Sequence, residues 1–147
     1  MVSRDKIERR VADFVSACQR QGVKATHQRL EILRELAGTE EHPDAETIYD
    51  RVRDRLPTIS LDTVYRTLRL FEEKGVVSRV GPIRNRARFE ANTERHHHFV
   101  CTRCGKICDF YGDDLNEEAA KARTSEFGKA ESVHVEVRGR CASCLDE

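Results

Sequence analysis

The chain has 147 residues, of which 35% are charged and 38% apolar, and its 26 basic and 26 acidic side chains leave no formal net charge. Such a length and composition are typical of a soluble protein with one domain or two small ones, not of a disordered or fibrous chain. No run approaches the ~20 apolar residues of a membrane span, and no apolar segment follows the charged N-terminus as in a secretory signal, so we expect a cytoplasmic protein.

Apolar residues recur at helical spacing four times in the first half of the chain. Capping residues, glycines and a proline bound these segments. The predicted helices run over 5–20, from Thr26 to Gly38, from Asp44 towards Pro57, and from Ser60 to Gly75. Short strands at 76–80 and 87–90, separated by a turn at Gly81-Pro82, follow the last helix. Helices followed by a strand pair predict a winged helix-turn-helix in a first domain, residues 1–90.

The character of the sequence changes near residue 91, where a second domain, residues 91–147, begins. Its pattern predicts short strands at 99–100 and 107–110, a helix over 113–124 and a half-buried strand over 133–138. The side chains expected inside are Leu115, Ala119, Ala122, Val133, Val135 and Val137. A unit of ~55 residues has a marginal core and needs a metal ion or a partner subunit. The expected fold class is α+β, a winged helix-turn-helix followed by a small α/β domain.

The fourth predicted helix has an apolar face and a polar face that suits contact with DNA. Segment 51–88 carries 10 basic and 4 acidic residues, and three of the arginines fall in or beside the wing, within 84–88. Arginine can bind a phosphate or a guanine edge through two hydrogen bonds, while threonine and tyrosine suit sugar-phosphate and thymine-methyl contacts. An amphipathic surface helix with a solvated face is the alternative. The predicted DNA-contacting residues are Ser60, Asp62, Thr63, Tyr65, Arg66, Arg69, Arg84 and Arg86.

Two Cys-x-x-Cys pairs, Cys101 with Cys104 and Cys141 with Cys144, are the most specific chemical pattern in the chain. Two intervening residues let both thiolates turn onto one ion, and four thiolates make a closed, structural Zn²⁺ site. Because we expect a reducing cytosol, zinc is favoured over two redox pairs or a disulfide framework, which stay open as alternatives. The remaining cysteines, which we expect to pack as small apolar side chains, are Cys18 and Cys108.

Histidines and carboxylates gather at the start of the second domain. Residues two apart on a strand share a face, so His96 and His98 can bind one ion while the histidine between them points away. Imidazole and carboxylate donors without thiolate suit Fe²⁺, Mn²⁺ or Zn²⁺. Glu90 and Asp109 flank this segment. Spacing alone leaves ordinary surface residues as the alternative, and it cannot assign the distant His42 to the site.

The chain resembles the ferric uptake regulator family of metal-dependent bacterial repressors. The similarity covers nearly the whole chain, and several motifs occur in the family's order. The residues that carry it are His42-Pro43, segment 60–68, Phe89-Glu90, His96-His97-His98, Cys101 to Cys104 followed by Gly105-Lys106, and Cys141 to Cys144.

The resemblance implies a homodimer whose N-terminal halves bind an inverted-repeat operator in double-stranded DNA and whose C-terminal halves dimerise. It implies structural zinc on the four cysteines of the two pairs, and it matches Tyr65 to a base-contacting tyrosine with Arg66 beside it. It also implies a regulatory Fe²⁺ or Mn²⁺ ion that bridges the two halves. The implied ligands of that ion are His42, Glu90, His96, His98 and Asp109.

The branch of the family is a separate question. The paired histidines and Asp109 resemble the peroxide-sensing branch, in which iron at the site reacts with peroxide and oxidises a ligating histidine, by match His42 or His96. Glu90 departs from this branch, which usually has aspartate there, and glutamate is common in the iron-sensing branch. The additional site of the iron branch is poorly matched, since His134 lies one residue out of register. The prediction is peroxide sensing, with iron, manganese or zinc sensing as the alternative.

Two other classes of function stay open from the residues alone. A metalloenzyme would use the histidine–carboxylate site on a bound substrate, but it would need an enclosed pocket and a general acid or base. No further carboxylate pair or nucleophile motif supports that reading. A zinc-stabilised interaction module would bind another protein and not a DNA operator. We therefore predict a repressor rather than an enzyme.

Overall fold

The computed structural model describes residues 2–146 and divides into two compact units, with the boundary between Thr93 and Glu94. The first unit contains α1 (Arg4–Gln21), α2 (His27–Ala37), α3 (Ala45–Val52), α4 (Leu61–Glu73), β1 (Ser78–Ile83) and β2 (Arg86–Glu90). The second contains β3 (His97–Cys101), β4 (Ile107–Phe110), α5 (Glu117–Arg123), β5 (Glu136–Gly139) and α6 (Ala142–Leu145). Within the described residues, every helix is too short or too polar to cross a membrane. The mixture of elements confirms the predicted α+β class.

Local chemistry sets the ends of the helices in the first unit. Thr26, Asp44 and Ser60 cap α2, α3 and α4, each accepting a hydrogen bond from the backbone N–H three residues later, at 3.4, 2.8 and 3.1 Å. Gly22 ends α1 in the left-handed conformation, with φ +68°. These boundaries are the predicted ones, except that α3 ends at Val52, before the proline expected to break it.

The core of the first unit fixes α4 by one face. Phe14 of α1 and Phe71 of α4 meet edge to face, with ring centroids 4.6 Å apart. Each fully buried aliphatic or aromatic side chain stabilises the fold by about 1.5–3 kcal/mol. The buried face is therefore enough to hold α4 in place, and its opposite face is exposed to solvent. Cys18 lies in this core, as expected. The largest fully buried aliphatic side chains of this unit are Ile32, Leu33, Leu36, Ile48, Val52, Val64 and Leu68.

The strand pair β1–β2 has its turn in a different place from the predicted one. The chain reverses at Arg84 and Asn85, whose φ angles of +52° and +62° are those of a two-residue hairpin. The segment Gly81-Pro82, expected as the turn, lies inside β1. There Gly81 adopts φ +100°, and the pairing register shifts between Val80 and Ile83. The glycine and proline therefore make a bulge in a strand rather than a turn.

The second unit is built on a three-stranded sheet in the order β4-β3-β5. Strand β3 pairs antiparallel with β4, which places Asp109 opposite His98. It pairs in parallel with β5, which places Arg138 opposite Val100. The central strand β3 therefore brings its histidines beside side chains from both neighbouring strands.

Several details of the second unit differ from the expected pattern. The last strand, expected over 133–138, spans Glu136–Gly139. Helix α5 begins later than predicted, because the Asn116 side chain caps it by accepting a hydrogen bond from the Ala119 N–H at 3.1 Å. Glu117 is buried on this helix, whereas Ala122, expected inside, is exposed. Val137, also expected inside, is 45% exposed because β5 is an edge strand of the sheet. The predicted inner faces are wrong at Ala122 and Val137.

Candidate metal centres and DNA-facing surface

Four cysteines of the second unit come together at the end of β3. Cys101 ends β3, Cys104 follows in a turn, Cys141 precedes α6 and Cys144 lies on it. Their sulfur atoms all lie within 4.8 Å of one another, and those of Cys104 and Cys141 are 3.8 Å apart. Tetrahedral zinc with bonds of about 2.3 Å requires sulfur atoms about 3.8 Å apart. The cluster therefore fits the predicted zinc site in both donor type and spacing.

The backbone prepares this cluster for negative charge. The N–H groups of Cys104 and Cys141 donate to the sulfur of Cys101 at 3.5 and 3.4 Å, and they lower the pKa of that thiol to about 5. The hydrogen bond with the Cys141 thiol, followed by burial, raises the pKa of Cys144 to about 12. Four thiolates this close repel one another, so a divalent cation is needed to hold all four deprotonated.

In the first unit, an imidazole meets a carboxylate in a buried position. His42 lies just before α3 and Glu90 ends β2, and they are only 2% and 7% exposed. The Nε2 atom of His42 is 2.8 Å from the Oε2 atom of Glu90. Sequence spacing could not assign His42, but the fold of the first unit brings it to Glu90. Together they offer one nitrogen and one oxygen donor to a metal ion.

In the second unit, His96, His98 and Asp109 converge. The Nε2 atoms of the two histidines are 3.1 Å apart. The Oδ1 atom of Asp109 is 3.3 Å from the Nε2 atom of His98 and 3.7 Å from that of His96. The two histidines share one face, as the strand alternation predicts, and the pairing of β3 with β4 adds the carboxylate. All three donors are nitrogen or oxygen, the set that suits Fe²⁺, Mn²⁺ or Zn²⁺.

His97, whose role the sequence left open, faces away from these donors and is 2% exposed. Its Nδ1 atom accepts a hydrogen bond from the Val135 N–H at 3.0 Å. Its Nε2 atom lies 3.4 Å from the carboxylate of Glu117, which also pairs with Arg95. Burial, and then the charge of Arg95, lowers the pKa of His97. His97 therefore links the sheet to α5.

His134, whose role was also left open, contacts a candidate ligand. Its Nε2 atom is 3.0 Å from the Nδ1 atom of His98, the ring nitrogen other than the one near Asp109. Burial, and then the neighbouring His98, lowers the pKa of His134. A partner on the second nitrogen fixes the orientation of a metal-binding imidazole. Sequence reasoning missed this contact because it depends on how the segment before β5 lies against β3.

The exposed face of α4 carries the predicted DNA-contacting residues. The Arg66 guanidinium lies 3.0 Å from the Asp62 carboxylate one turn earlier, and both side chains are largely exposed. Ser60 and Thr63 use their hydroxyls at the helix start, where the Ser60 Oγ atom accepts from the Thr63 N–H and is 2.9 Å from the Thr63 hydroxyl. The exposed side chains of the face are Asp62, Tyr65, Arg66 and Arg69.

The arginines of the wing occupy three different environments. Arg84 is exposed at the tip of the hairpin. Arg86 is exposed as well, but its guanidinium is 2.8 Å from the carboxylate of Asp44. Arg88, expected beside the wing with the other two, turns away from the tip and donates to the backbone carbonyls of Glu41 and His42. Two of the three arginines are therefore exposed on the wing surface, and one of them, Arg86, is paired with Asp44.

Comparison with known proteins relates the chain to a family of regulators. Residues 20–138 match the ferric uptake regulator family. The chain is 34% identical over 143 residues to the peroxide-responsive repressor PerR of Staphylococcus aureus, which covers 97% of each protein. Its fold matches the Helicobacter pylori ferric uptake regulator with a TM-score of 0.80 at 24% identity, over 100% of this chain and 99% of that one. A zinc uptake regulator complexed with zinc and DNA matches with a TM-score of 0.68 at 27% identity, over 95% of both chains.

The chain belongs to the ferric uptake regulator family. It is thus a metal-responsive transcriptional repressor, as its motifs predicted. The two donor sets agree with the two kinds of metal expected of it, zinc on thiolates and Fe²⁺ or Mn²⁺ on imidazoles and carboxylates.

Proposed function

We propose that two copies of this chain, in the cytoplasm, bind an inverted-repeat operator in double-stranded DNA while a regulatory Fe²⁺ or Mn²⁺ ion is bound, and that peroxide ends the repression. The observation that carries the proposal is a pair of partial donor sets, one in each unit, made only of imidazole nitrogen and carboxylate oxygen. The residues of the two sets are His42 and Glu90 in the first unit, and His96, His98 and Asp109 in the second.

Neither set is a complete ligand shell. Metal ions with such donors take about five or six ligands, whereas the first unit offers two protein donors and the second offers three. Sharing one ion among all five residues holds the two units of a protomer at one angle. The conformation in which all five residues bind the ion has a higher metal affinity than other conformations. Metal binding therefore shifts the population of dimers towards it.

The angle between the units matters because the operator is rigid. Half-sites on one face of a duplex are about 34–36 Å apart, so two copies of α4 must match that distance to enter both major grooves. We assign the polar face of α4 to base and backbone contacts, and the wing to phosphate or minor-groove contacts. The residues assigned to DNA are Ser60, Asp62, Thr63, Tyr65, Arg66, Arg69, Arg84 and Arg86.

A second copy of the chain suits the second unit. Large apolar side chains are exposed on this small unit, with exposed fractions of 80% for Phe127, 67% for Leu145, 54% for Tyr111 and 45% for Val137. Exposed apolar side chains that form one patch are typical of a surface that another protein covers, and we propose that these side chains contribute to such a patch. We propose that the zinc on the four cysteines holds the sheet and the C-terminal helix in the shape that dimerises.

Peroxide sensing is favoured by the 34% identity to a peroxide-responsive repressor over nearly the whole chain, together with the paired histidines and Asp109. Ferrous iron, when bound, would promote cleavage of the O–O bond of peroxide. One oxygen atom of the peroxide is added to a ligand histidine, which is thereby oxidised by two electrons, and the other leaves as water. His42 and His96 are the ligands we expect to be oxidised. One oxidation inactivates one protomer without turnover, so the protein is a regulator and not an enzyme. Iron sensing is the second candidate, and Glu90, in place of aspartate, is the residue that favours it.

Peptide mass spectrometry after peroxide treatment tests the proposal on the Fe²⁺ and Mn²⁺ forms of the dimer. We expect one added oxygen atom on His42 or His96 in the iron form only, with a matching loss of operator binding in a gel-shift titration. His27, an exposed histidine on α2, is the internal control and should stay unmodified. Unmodified ligands and full operator binding after peroxide would favour iron sensing instead.

A further inference from the structure

His42 has an unusual backbone conformation for a residue in its place. Its φ is +56°, in the left-handed region. Among the described residues other than glycine, only Arg84 and Asn85 share a positive φ, and their hairpin turn requires it. His42 lies outside the hairpin, directly before Pro43. A left-handed residue other than glycine is disfavoured and persists when surrounding contacts hold it.

Arg88 supplies such contacts. Its guanidinium donates one hydrogen bond to the carbonyl of His42 and a second, at 2.9 Å, to the carbonyl of Glu41. The side chain is partly buried, so its position costs desolvation that these bonds offset. A planar guanidinium can serve two successive carbonyls at once, which a lysine ammonium does less well.

The same strand carries the partner of the His42 ring. Residues two apart on a strand share a face, so Arg88 and Glu90 both point towards segment 41–43. Between them, the Phe89 N–H donates to the Pro43 carbonyl at 3.0 Å. Three consecutive residues of β2 therefore bond to three consecutive residues of this segment. The Glu90 carboxylate then reaches the His42 imidazole at 2.8 Å.

We propose that Arg88 is a positioning residue for the regulatory metal, because it holds the backbone at 41–42 in the turn that directs the His42 imidazole towards Glu90. The inference rests on the proposed function, which takes His42 and Glu90 as ligands. Because these contacts within the protein hold the turn, metal ligation does not have to order this backbone. Removing a residue that orients a metal ligand weakens metal binding by about 10–100-fold.

The test measures the affinity of the full-length, zinc-loaded dimer for Mn²⁺. We expect Arg88→Met to weaken Mn²⁺ binding about tenfold or more with zinc content unchanged. Arg55→Met is the matched control, because Arg55 also bonds two acceptors, the carboxylates of Glu31 and Glu35 at 2.7 and 3.0 Å, but lies outside segment 41–43. The control should bind Mn²⁺ like the wild type. Wild-type affinity in Arg88→Met would overturn the role of Arg88 and leave the metal site standing.

A double-mutant cycle separates positioning from a general defect. If Arg88 acts through His42, adding Arg88→Met to His42→Ala lowers the Mn²⁺ affinity no further. Equal losses with and without the histidine would overturn the inference, and unchanged affinity in His42→Ala would overturn the proposed site as well. In the metal-free protein, the Phe89 amide should exchange hydrogen faster in Arg88→Met, with unchanged helix content. If Arg88→Met does not fold, Arg88→Lys provides the test. We expect the lysine variant to bind Mn²⁺ more weakly than the wild type does. Wild-type Mn²⁺ affinity in this variant would overturn the inference.

Discussion

Replacing Cys101 with serine tests whether zinc holds the second unit together. Cys101 is 1% exposed, and its sulfur accepts hydrogen bonds from the N–H groups of Cys104 and Cys141. The serine hydroxyl can accept those bonds but does not replace a thiolate on zinc. The change therefore removes one of four zinc ligands while it keeps the local hydrogen-bond acceptors.

The magnitude follows from how little else the second unit buries. Its buried aliphatic side chains are Val100 and Ile107, each 3% exposed. Burying two such side chains is worth about 3–6 kcal/mol, whereas zinc binding by a structural site is worth about 10–16 kcal/mol. Because the metal contributes more than the apolar core, its loss should unfold residues 94–147. The first unit has its own core and should stay folded.

Zinc content, limited proteolysis and sedimentation provide the assay. We expect Cys101→Ser to lose zinc, to be digested within 94–147 and to sediment as a monomer. Cys108→Ser is the matched control, since Cys108 is a half-buried thiol on β4 outside the cluster. It should keep zinc, protease resistance and the dimer. A zinc-free Cys101→Ser protein that remains a protease-resistant dimer would refute the structural role of the metal.

Three further predictions concern the first unit. Gly81→Ala should lower the free energy of unfolding by about 1–3 kcal/mol, because the φ of Gly81 is +100° and a Cβ there would lie 2.6 Å from the Ile83 nitrogen. Thermal denaturation measures this loss, and an unchanged melting temperature would contradict the prediction. Burial raises the pKa of Asp44, but hydrogen bonds, including that from Arg86, outweigh it and lower the pKa. In urea denaturation, Asp44→Asn should therefore have a lower free energy of unfolding than the wild type above about pH 4. This difference should vanish as the pH falls through the lowered pKa of Asp44. A difference that does not depend on pH would exclude a stabilising ion pair between Asp44 and Arg86. Arg66→Ala should reduce discrimination between operator and random DNA without changing metal content; equal loss on both DNAs would indicate a phosphate contact.

The helices of the first unit could be predicted because their boundaries depend on near neighbours. Thr26, Asp44 and Ser60 each bond to a backbone group three residues away. The predicted position of the wing turn is wrong because it relied on local composition alone, whereas strand pairing determines where the turn falls. Gly81-Pro82 has the composition of a turn, but the pairing of β1 with β2 places it within a strand and puts the reversal at Arg84-Asn85, which has no glycine.

The metal donors were predictable in proportion to their closeness in sequence. Each Cys-x-x-Cys pair is local, and the strand alternation already placed His96 and His98 on one face. His42 is 48 residues from Glu90, so only the packing of β2 against the segment before α3 reveals their contact. The contact of His134 with His98 likewise spans 36 residues. Neither pairing leaves a pattern in a single sequence.

The chemical difference between the two donor sets explains how one small protein can hold one metal permanently and respond to another. The cysteine cluster is closed and made of soft thiolates, which select zinc, and its backbone N–H groups favour the charged form. The imidazole and carboxylate donors are harder, and about five or six such ligands suit Fe²⁺ or Mn²⁺. Since affinity for any one donor type rises from Mn²⁺ to Zn²⁺, a chain with one kind of site could not keep its structural ion and still exchange the regulatory one. Separating thiolate from nitrogen and oxygen donors allows regulatory metal to come and go while the fold of the second unit stays intact.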